Sequence, residues 1–568
     1  MNRYNLYHQQ KYIKHPQEQE CNMSIAASEL DDRIRRYVSP VRIVWQEGNI
    51  RNAEVLLQHG SGQATIWSHP GAFLAPVTSL LLDYGKELHG GVQIITGPSR
   101  DKRVLRVRVR FGESVCEAMG EPDNDHAIHD AVIDLATMGA TEFGNTGFRF
   151  VRIDSVEKED LIEIREIRAV SLCRDLKYRG AFECDDKRLN EIWQTGAYTT
   201  HLCLQDYIWD GIKRDRLVWM GDMHPEIMVT ASVFGKLEVI ERSLDLVRDE
   251  AVLPKFMNNT SSYSLWWIIA HYDWFRFHGD LDYLKAQREY LKELLRMVLG
   301  MIDANGSEKL DATWRFLDWP THGDDKAVHG GLHALLLLAL KTGASLCSTL
   351  GEKQCALECD KGIDLMSSHI PEPCMNKSAN SLQVLAGIQE PAAANREILA
   401  ANPFRGISTF YGYYILQARA QAGDYQGCLD LISRYWGGML DLGATTFWEH
   451  FELEWMENAG RIDELPVPDK KDVHRDCGAH CFKGLRHSLC HGWASGPTAW
   501  LSEHILGVKV LKPGARQILL EPHLPGLQWV RGSFPTTYGN VEIECSRKGE
   551  KIKIDYKAPA GVKIETAQ

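Results

Sequence analysis

The chain has 568 residues, and its 64 lysines and arginines against 76 aspartates and glutamates give a formal net charge of −12. Hydrophobic residues make up 44% and charged residues 25%, near the averages of globular proteins, so the composition excludes a chain that is mostly disordered or fibrous. The acidic balance also disfavours nucleic acid as a partner, because phosphate neutralisation needs clustered lysine and arginine.

The N-terminal residues bear on where the protein acts. They are polar and contain no apolar run of the signal-peptide kind, so the sequence as written favours the cytoplasm. The periplasm is the alternative if the true N-terminus is missing. The longest apolar run, at 334–340, is far shorter than the ~20 residues of a membrane span. The 14 cysteines are scattered, which favours free, buried thiols.

The pattern along the chain predicts four parts, the first of which is a polar N-terminal arm at residues 1–35. Residues 36–178 contain short runs rich in β-branched and aromatic side chains. One of them, VLRVRVRF at 104–111, alternates apolar and charged residues. Such alternation is typical of a strand with one face in solvent, so we predict an N-terminal antiparallel β-sandwich domain over 36–178.

Helical periodicity dominates residues 179–506, which are rich in Leu, Ala, Met and Trp. Twelve helices with their loops would take about 27 residues each, which fits helices of ordinary length. We predict an (α/α)6-barrel catalytic domain over 179–506, with a plain α-solenoid as the alternative, and a C-terminal β-sandwich over 507–568. The fold class is therefore multidomain α and β, with a central (α/α)6 barrel flanked by antiparallel β-sandwich domains.

The densest polar stretch of the helical region is residues 209–226, which holds Asp210, Asp215 and Asp222 together with Arg214 and Trp219. If 215–222 is helical, Asp215, Trp219 and Asp222 share one face. Carboxylates bind sugar hydroxyls or transfer protons, and a tryptophan offers a flat apolar surface to a pyranose, so the stretch suits a sugar site. The alternative is a solvated helix start held by Asp–Arg pairs.

Two later stretches offer further catalytic groups. Residues 443–455 contain Glu449, a candidate general base, although an amphipathic helix with its acids in solvent is an equal alternative. Residues 488–507 contain His491, for which a histidine hydrogen-bonded in the core is the alternative. Histidines and cysteines crowd residues 474–491, but H-x2-C-x2-H-C is not a standard zinc spacing, so we predict neither a metal nor a cofactor.

Taken together, these stretches resemble the α-L-rhamnosidases of glycoside hydrolase family 78, over most of the chain. The specific part is D-x-x-x-R-D-x-x-x-W-x-G-D at 210–222. TTFWE at 445–449 and CHGWASGPTAWL at 490–501 are similar to further family segments. The resemblance implies β-sandwiches around an (α/α)6 barrel and hydrolysis of terminal α-L-rhamnosides with inversion of configuration.

Carried over by position, the resemblance implies that Asp215 is the general acid and Glu449 the general base. Aspartate at 215 departs from the glutamate usual in the family and is one methylene shorter. Glu226, the next glutamate along, is the alternative acid. The substrate-binding positions implied are Asp210, Arg214, Trp219, Asp222, Tyr263, Trp319 and His491, with Tyr263 standing where the family often has tryptophan.

Two other classes of function stay open. One is another (α/α)6 enzyme, a fucosidase-like hydrolase or a phosphorylase, in which a phosphate pocket would replace the base. The other is a catalytically inactive sugar-binding protein, which the aspartate at 215 suggests. The expected partner is a carbohydrate, a rhamnoside, with no nucleic acid and no membrane span; a homodimer is left open.

Overall fold

The computed structural model describes residues 31–60, 62–67, 78–98, 104–121, 129–156, 161–310 and 314–567. Most of the predicted arm, residues 1–30, lies outside the described residues. Residues 33–35, the last of the predicted arm, belong instead to the first strand, which begins at Arg33.

An antiparallel sheet of nine strands makes up the N-terminal region, in the order β3-β4-β9-β5-β8-β6-β7, with β1 paired to β9 and β2 paired to β5. Its strands are β1 (Arg33–Val38), β2 (Arg42–Glu47), β3 (Asn49–Arg51), β4 (Ala64–Trp67), β5 (Ser79–Thr96), β6 (Leu105–Gly112), β7 (Asp130–Leu135), β8 (Ala140–Ser155) and β9 (Leu161–Arg174). The alternation read in VLRVRVRF is found in β6, where Val107 and Val109 are fully buried and Arg106 is exposed.

Helices occupy most of the chain from residue 187 to 505. The helices are α1 (Val115–Met119), α2 (Lys187–Cys203), α3 (Met220–Val233), α4 (Glu238–Glu250), α5 (Ser261–His278), α6 (Leu281–Ala286), α7 (Arg288–Leu299), α8 (Asp325–Leu350), α9 (Lys353–Ser367), α10 (Lys377–Leu385), α11 (Pro391–Ala394), α12 (Gly412–Gln421), α13 (Tyr425–Leu431), α14 (Gly437–Asp441), α15 (Val473–Asp476) and α16 (Gly496–Trp500).

Six of these helices form a closed circuit of contacts. In the order α3, α5, α8, α10, α12 and α16, each packs against the next, and α16 packs against α3. The circuit explains why α8 is apolar almost all round. By length and composition α8 could cross a membrane, but 72% of its most apolar window is buried inside the protein, as in a core helix.

The C-terminal strands form two small sheets, β10-β13-β14-β15 and β11-β12-β16. The strands are β10 (Ala181–Cys184), β11 (Val508–Lys512), β12 (Gln517–Leu520), β13 (Trp529–Thr536), β14 (Gly539–Lys548), β15 (Lys551–Lys557) and β16 (Lys563–Thr566). The predicted boundary at residue 179 assigned β10 to the helical region, whereas it pairs with β13. Four residues of strand were too short a signal to separate from the helices that follow.

Two large apolar cores hold these parts. One lies within the N-terminal sheet. The other runs continuously from the helices into the C-terminal sheets, so that Trp266 of α5 and Val530 of β13 belong to the same cluster. The C-terminal sheets are therefore packed onto the helices and are not loosely tethered.

Candidate active site

The polar stretch at 209–226 is a loop followed by a helix. Helix α3 begins only at Met220, so residues 215–222 are not one helix and the condition under which Asp215, Trp219 and Asp222 would share a helical face is not met. The loop is ordered by Asp210, whose two carboxylate oxygens accept hydrogen bonds from the backbone N–H groups of Asp215 (3.1 Å) and Leu217 (3.0 Å). A carboxylate that satisfies successive backbone donors favours a turn over a helix.

Asp210 itself is buried, with 4% of its surface exposed. Burial, together with the charges of Asp222 and Asp215, raises the pKa of its carboxyl to about 7. The loop also pairs with the segment around His491, because Gly211 forms a β-bridge with His491 and the Gly492 N–H donates to the Asp210 carbonyl. The loop before α3 and the segment around His491, which are far apart in sequence, thus lie side by side at the site.

Glu449 lies in a non-helical segment and is only 3% exposed, so the alternative of a helix with its acids in solvent is wrong for this residue. Its Oε2 atom accepts from Arg214 Nη2 at 2.7 Å and from the Ser488 N–H at 3.2 Å. Its Oε1 atom accepts from Cys481 Sγ at 3.5 Å. These contacts fix the carboxylate, and the guanidinium compensates its buried charge.

Arg214 also reaches Asp215, with Nη1 3.8 Å from Asp215 Oδ1. Since the terminal nitrogens of one planar guanidinium are only about 2 Å apart, these contacts hold the carboxylates of Asp215 and Glu449 within about 9 Å of each other. The two acids differ in access, because 41% of the Asp215 side chain is exposed against 3% for Glu449. One guanidinium therefore joins an open carboxylate to a buried one.

A second buried group consists of Asp222, His491 and Tyr263. His491 Nε2 lies 3.3 Å from Asp222 Oδ2, and the Tyr263 hydroxyl donates to Asp222 Oδ1 at 3.4 Å. Burial raises the pKa of Asp222. Burial opposes the charge on His491, but its contact with Asp222 and the nearby carboxylates of Glu449 and Asp210 raise its pKa overall. The alternative of a histidine hydrogen-bonded in the core accounts for the burial of His491 but not for the carboxylates around it.

These groups surround a cavity of about 220 Å³. All nine side chains chosen from the sequence line it: Asp210, Arg214, Asp215, Trp219, Asp222, Tyr263, Trp319, Glu449 and His491. Sequence reasoning missed five further lining residues, namely Trp314, Phe316, Cys481, Arg486 and Trp493. The aromatic ones were readable in WRFLDWP and CHGWASG, but aromatic side chains also fill cores and gave no separate signal.

A larger cavity of about 780 Å³ lies elsewhere, between the β10–α2 segment and the C-terminal sheet. None of the predicted site residues lines it. We locate the chemistry in the smaller cavity because it gathers buried, hydrogen-bonded carboxylates, a histidine and aromatic rings around one space.

The N-terminal sheet reaches the site through Lys213, which is buried next to Arg214. Lys213 Nζ lies 3.1 Å from a carboxylate oxygen of both Glu113 and Glu117, and donates to the carbonyls of Leu485 (2.8 Å) and His487 (2.7 Å). The three ionisable side chains are at most 2% exposed. The ammonium therefore ties the residues after β6 to both loops of the site.

Ligand atoms of Glu113, Glu117 and His474 are close enough to hold a metal ion, and among the described residues no other group of at least three histidine, cysteine and acidic side chains meets the same criterion. The Lys213 ammonium already lies among them, 3.5 Å from His474 Nε2. The carboxylates thus have a cation from the chain itself, and within the described residues the cysteines of 474–491 form no such group.

Comparisons with known proteins find similar families and structures. The family model for the bacterial alpha-L-rhamnosidase 6 hairpin glycosidase domain matches residues 177–353, and that for the bacterial alpha-L-rhamnosidase C-terminal domain matches residues 507–566. An alpha-L-rhamnosidase of Alteromonas sp. (strain LOR) is 21% identical over 543 residues, covering 86% of this chain and 55% of its own. The chain spans about half the length of the curated relatives it matches.

Two solved structures share the fold. The GH78 family rhamnosidase of Bacillus sp. GL1 superposes with a TM-score of 0.72 at 22% identity, covering 88% of this chain and 54% of its own. The rhamnosidase from Klebsiella oxytoca with rhamnose bound gives a TM-score of 0.66 at 18% identity, covering 83% and 96%. The fold is that of these solved rhamnosidases. In sequence, residues 177–353 and 507–566 are similar to the six-hairpin glycosidase and C-terminal domains of the bacterial alpha-L-rhamnosidases.

Proposed function

We propose that the protein hydrolyses terminal α-L-rhamnosides with inversion of the anomeric configuration. The observation that carries the proposal is the pair formed by the open carboxylate of Asp215 and the buried carboxylate of Glu449, joined by Arg214 beside one small cavity. Inverting glycosidases need an acid and a base ~6.5–9.5 Å apart, with a water between the base and the sugar. The arginine contacts are compatible with that separation.

In this proposal Glu449 is the general base. It removes a proton from the water whose oxygen attacks the anomeric carbon, while the glycosidic C–O bond breaks. Arg214 and the Ser488 N–H share its Oε2 atom. Among the described residues Oε1 has a hydrogen bond only from the weak donor Cys481, which leaves it available to the water. Arg214 is thus a positioning residue for the base.

Asp215 is the proposed general acid, which gives its proton to the departing glycosidic oxygen. Its exposure supports the assignment, since the acid must meet a leaving group that extends into solvent. Glu226, the alternative acid, is 1% exposed, does not line the cavity, and has no hydrogen-bond partner among the described residues for either carboxyl oxygen. Burial raises the pKa of Glu226 well above its usual range, which favours a neutral structural role.

The remaining lining residues suit a sugar ligand. Asp222 and His491 offer a hydrogen-bonded acid–imidazole pair to ring hydroxyls, and Trp219 and Trp319 provide apolar surface. Trp219 packs edge-on against Tyr263, with ring centroids 6.0 Å apart. Gly221 permits this packing, because a Cβ there would lie 2.3 Å from the Tyr263 ring.

We further propose that the six helices of the closed circuit are the inner layer of an (α/α)6 barrel. The second helix of each hairpin would then form the outer layer. The hairpin of α8 and α9 is an example, because α9 packs along α8. In this arrangement the loop before α3 and the segment that carries Glu449 meet at one end of the barrel, although 235 positions separate Arg214 from Glu449.

A panel of p-nitrophenyl glycosides tests the activity, and ¹H NMR of the first product tests the stereochemistry. We expect turnover of the α-L-rhamnoside without added phosphate and β-L-rhamnose as the first anomer. A first-formed α anomer contradicts inversion, phosphate-dependent turnover identifies a phosphorylase, and rhamnose binding without turnover of any glycoside identifies a sugar-binding protein.

A further inference from the structure

The catalytic cavity has room for one sugar. Its volume of about 220 Å³ lies below the ~300–1,000 Å³ typical of pockets for larger ligands, so the group attached to the terminal sugar must bind outside it. Two neighbouring cavities share lining residues with it. One, of about 520 Å³, shares Trp314 and Phe316, and we call it the Trp314 cavity. The other, of about 340 Å³, shares Trp319, and we call it the Trp319 cavity.

The Trp319 cavity lies on the side of the base. It is lined by His450, the residue after Glu449, and by Phe482. Phe482 follows Cys481, whose thiol donates to Glu449 Oε1. In an inverting hydrolysis the water and its base stand on the face of the sugar opposite to the leaving group. The leaving group therefore points away from the Trp319 cavity.

The Trp314 cavity lies on the side of the loop that carries the acid. Trp314 forms a parallel β-bridge with Thr260. Two residues before Thr260, the Asn258 side chain donates to the Val218 carbonyl at 3.1 Å. Val218 follows Asp215 by three residues in the loop before α3. A leaving group protonated by Asp215 therefore has the Trp314 cavity beside it.

Trp314 presents a preformed aromatic surface. Its side chain is 36% exposed and stacks on Phe316, with ring centroids 4.3 Å apart and planes inclined by 27°. Phe316 thus covers one face of the indole. The start of α5 holds both backbones, because the Ser261 N–H donates to the Trp314 carbonyl at 3.4 Å and the Ser262 hydroxyl donates to the Phe316 carbonyl at 2.6 Å. A surface fixed in this way loses little conformational entropy when a ligand binds.

We propose that the Trp314 cavity binds a second sugar, the one released as the leaving group, so that the substrate is an α-L-rhamnosyl disaccharide or a larger glycan. The proposal rests on the proposed rhamnosidase function. Besides the indole, the cavity is lined by the exposed polar side chains of His322 and Asp325. A pyranose matches one aromatic face flanked by hydrogen-bonding groups, because its C–H face is apolar and its hydroxyls are not. Trp314 is thus a residue that determines specificity for the leaving group.

The test compares kcat/KM for α-L-rhamnosyl-D-glucose, linked through O2, O4 or O6 of the glucose, with kcat/KM for methyl α-L-rhamnoside. Both kinds of substrate release an alkoxide and need the acid equally, but only the disaccharide reaches the Trp314 cavity. We expect the wild type to prefer at least one disaccharide by about tenfold or more, since binding energy from a remote sugar lowers the barrier. Trp314→Ala should lose most of that preference, and Trp314→Phe should keep part of it.

Phe404→Ala is the matched control. Phe404 lines the Trp319 cavity and not the catalytic cavity, so this variant should keep the preference for the disaccharide. The reverse result, with the preference lost in Phe404→Ala and kept in Trp314→Ala, overturns the proposal. So does a wild type that prefers no disaccharide. Equal losses of kcat/KM on both kinds of substrate in Trp314→Ala overturn it too, because they identify a purely structural role.

Failure of the proposed function gives a different result, namely no hydrolysis of any rhamnoside, including the p-nitrophenyl compound. Calorimetry then tests the second-sugar site by itself. The site is supported if the disaccharide binds more tightly than rhamnose to the wild type and this gain disappears in Trp314→Ala. Equal affinities of the wild type for the disaccharide and for rhamnose overturn it.

Discussion

The guanidinium of Arg214 lies 2.7 Å from the carboxylate of Glu449, although 235 positions separate the two residues in the chain. The same guanidinium lies 3.8 Å from Asp215. An arginine that contacts both carboxylates limits how far apart they can lie, and the separation of the two acids is what distinguishes inverting from retaining glycosidases. The relationship also makes the roles of the two acids separable by mutation.

Glu449→Gln is expected to lower kcat by about 10²–10⁴ while ground-state binding of rhamnose changes much less, because a base acts on the water and not on the bound sugar. Steady-state kinetics and calorimetric binding of rhamnose measure the two effects. Glu452→Gln is the matched control, three residues further on with 55% of its side chain exposed. Near-wild-type kcat in Glu449→Gln would remove the base assignment.

Asp215→Asn should nearly abolish hydrolysis of alkyl or sugar rhamnosides but spare more activity on an activated aryl rhamnoside. A phenolate leaves with little protonation, whereas an alkoxide needs the acid. The comparison of kcat/KM for the two substrates, in wild type and variant, measures this. Equal losses on both, with an unchanged basic limb of the pH–rate profile, would mean that Asp215 is not the proton donor.

Lys213→Met is expected to destabilise the protein by roughly 3–5 kcal/mol, because it leaves Glu113 and Glu117 buried without their cation. Urea unfolding followed by fluorescence measures the loss. Lys236→Met, at a lysine whose side chain is 35% exposed and also paired with two acids, is the control and should cost much less. Similar losses for the two variants would show that the buried cluster contributes no special stability.

The raised pKa of the buried Asp210 carboxyl implies that the stability of the protein depends on pH. Its folded pKa of about 7 lies above the ordinary value of 3.8, so its contribution is fully present at acidic pH and is lost as pH rises through 7. Relative to Asp210→Asn, the wild type should therefore lose stability between about pH 4 and pH 7. Unfolding free energies of both proteins across that range check the sign; a constant difference would show that Asp210 does not titrate there.

The sequence predicted the residues that line the cavity more accurately than it predicted the local secondary structure. The family resemblance gave nine of the fourteen lining residues, because residue type at matched positions can be read even where helix assignment fails. Residues 215–219 form a loop and not a helix, because Asp210 accepts hydrogen bonds from the backbone of Asp215 and Leu217, a contact that no periodicity reveals. The predicted start of the barrel at residue 179 wrongly included β10. Its partner strand β13 lies near the other end of the chain, so the local pattern did not reveal the pairing.

Lys213 shows the limit of reading a sequence locally. It stands in the motif stretch, yet sequence reasoning gave it no role, because its partners are 96 residues before it and more than 270 after it. A lysine in a polar stretch is ordinarily solvated. Only the tertiary structure shows that this one is buried between two carboxylates and two carbonyls.

That burial has a consequence for how the gene can be rearranged. A recombinant that keeps the helical region but replaces the residues after β6 would leave the Lys213 ammonium buried without its carboxylates. Lys213 directly precedes Arg214, the arginine that contacts Glu449. Such a chimera would have to supply new counter-charges or fail to fold. The sheet and the helices therefore constitute one heritable unit, and exchange between relatives should succeed only when the crossover keeps Glu113, Glu117 and Lys213 from the same parent.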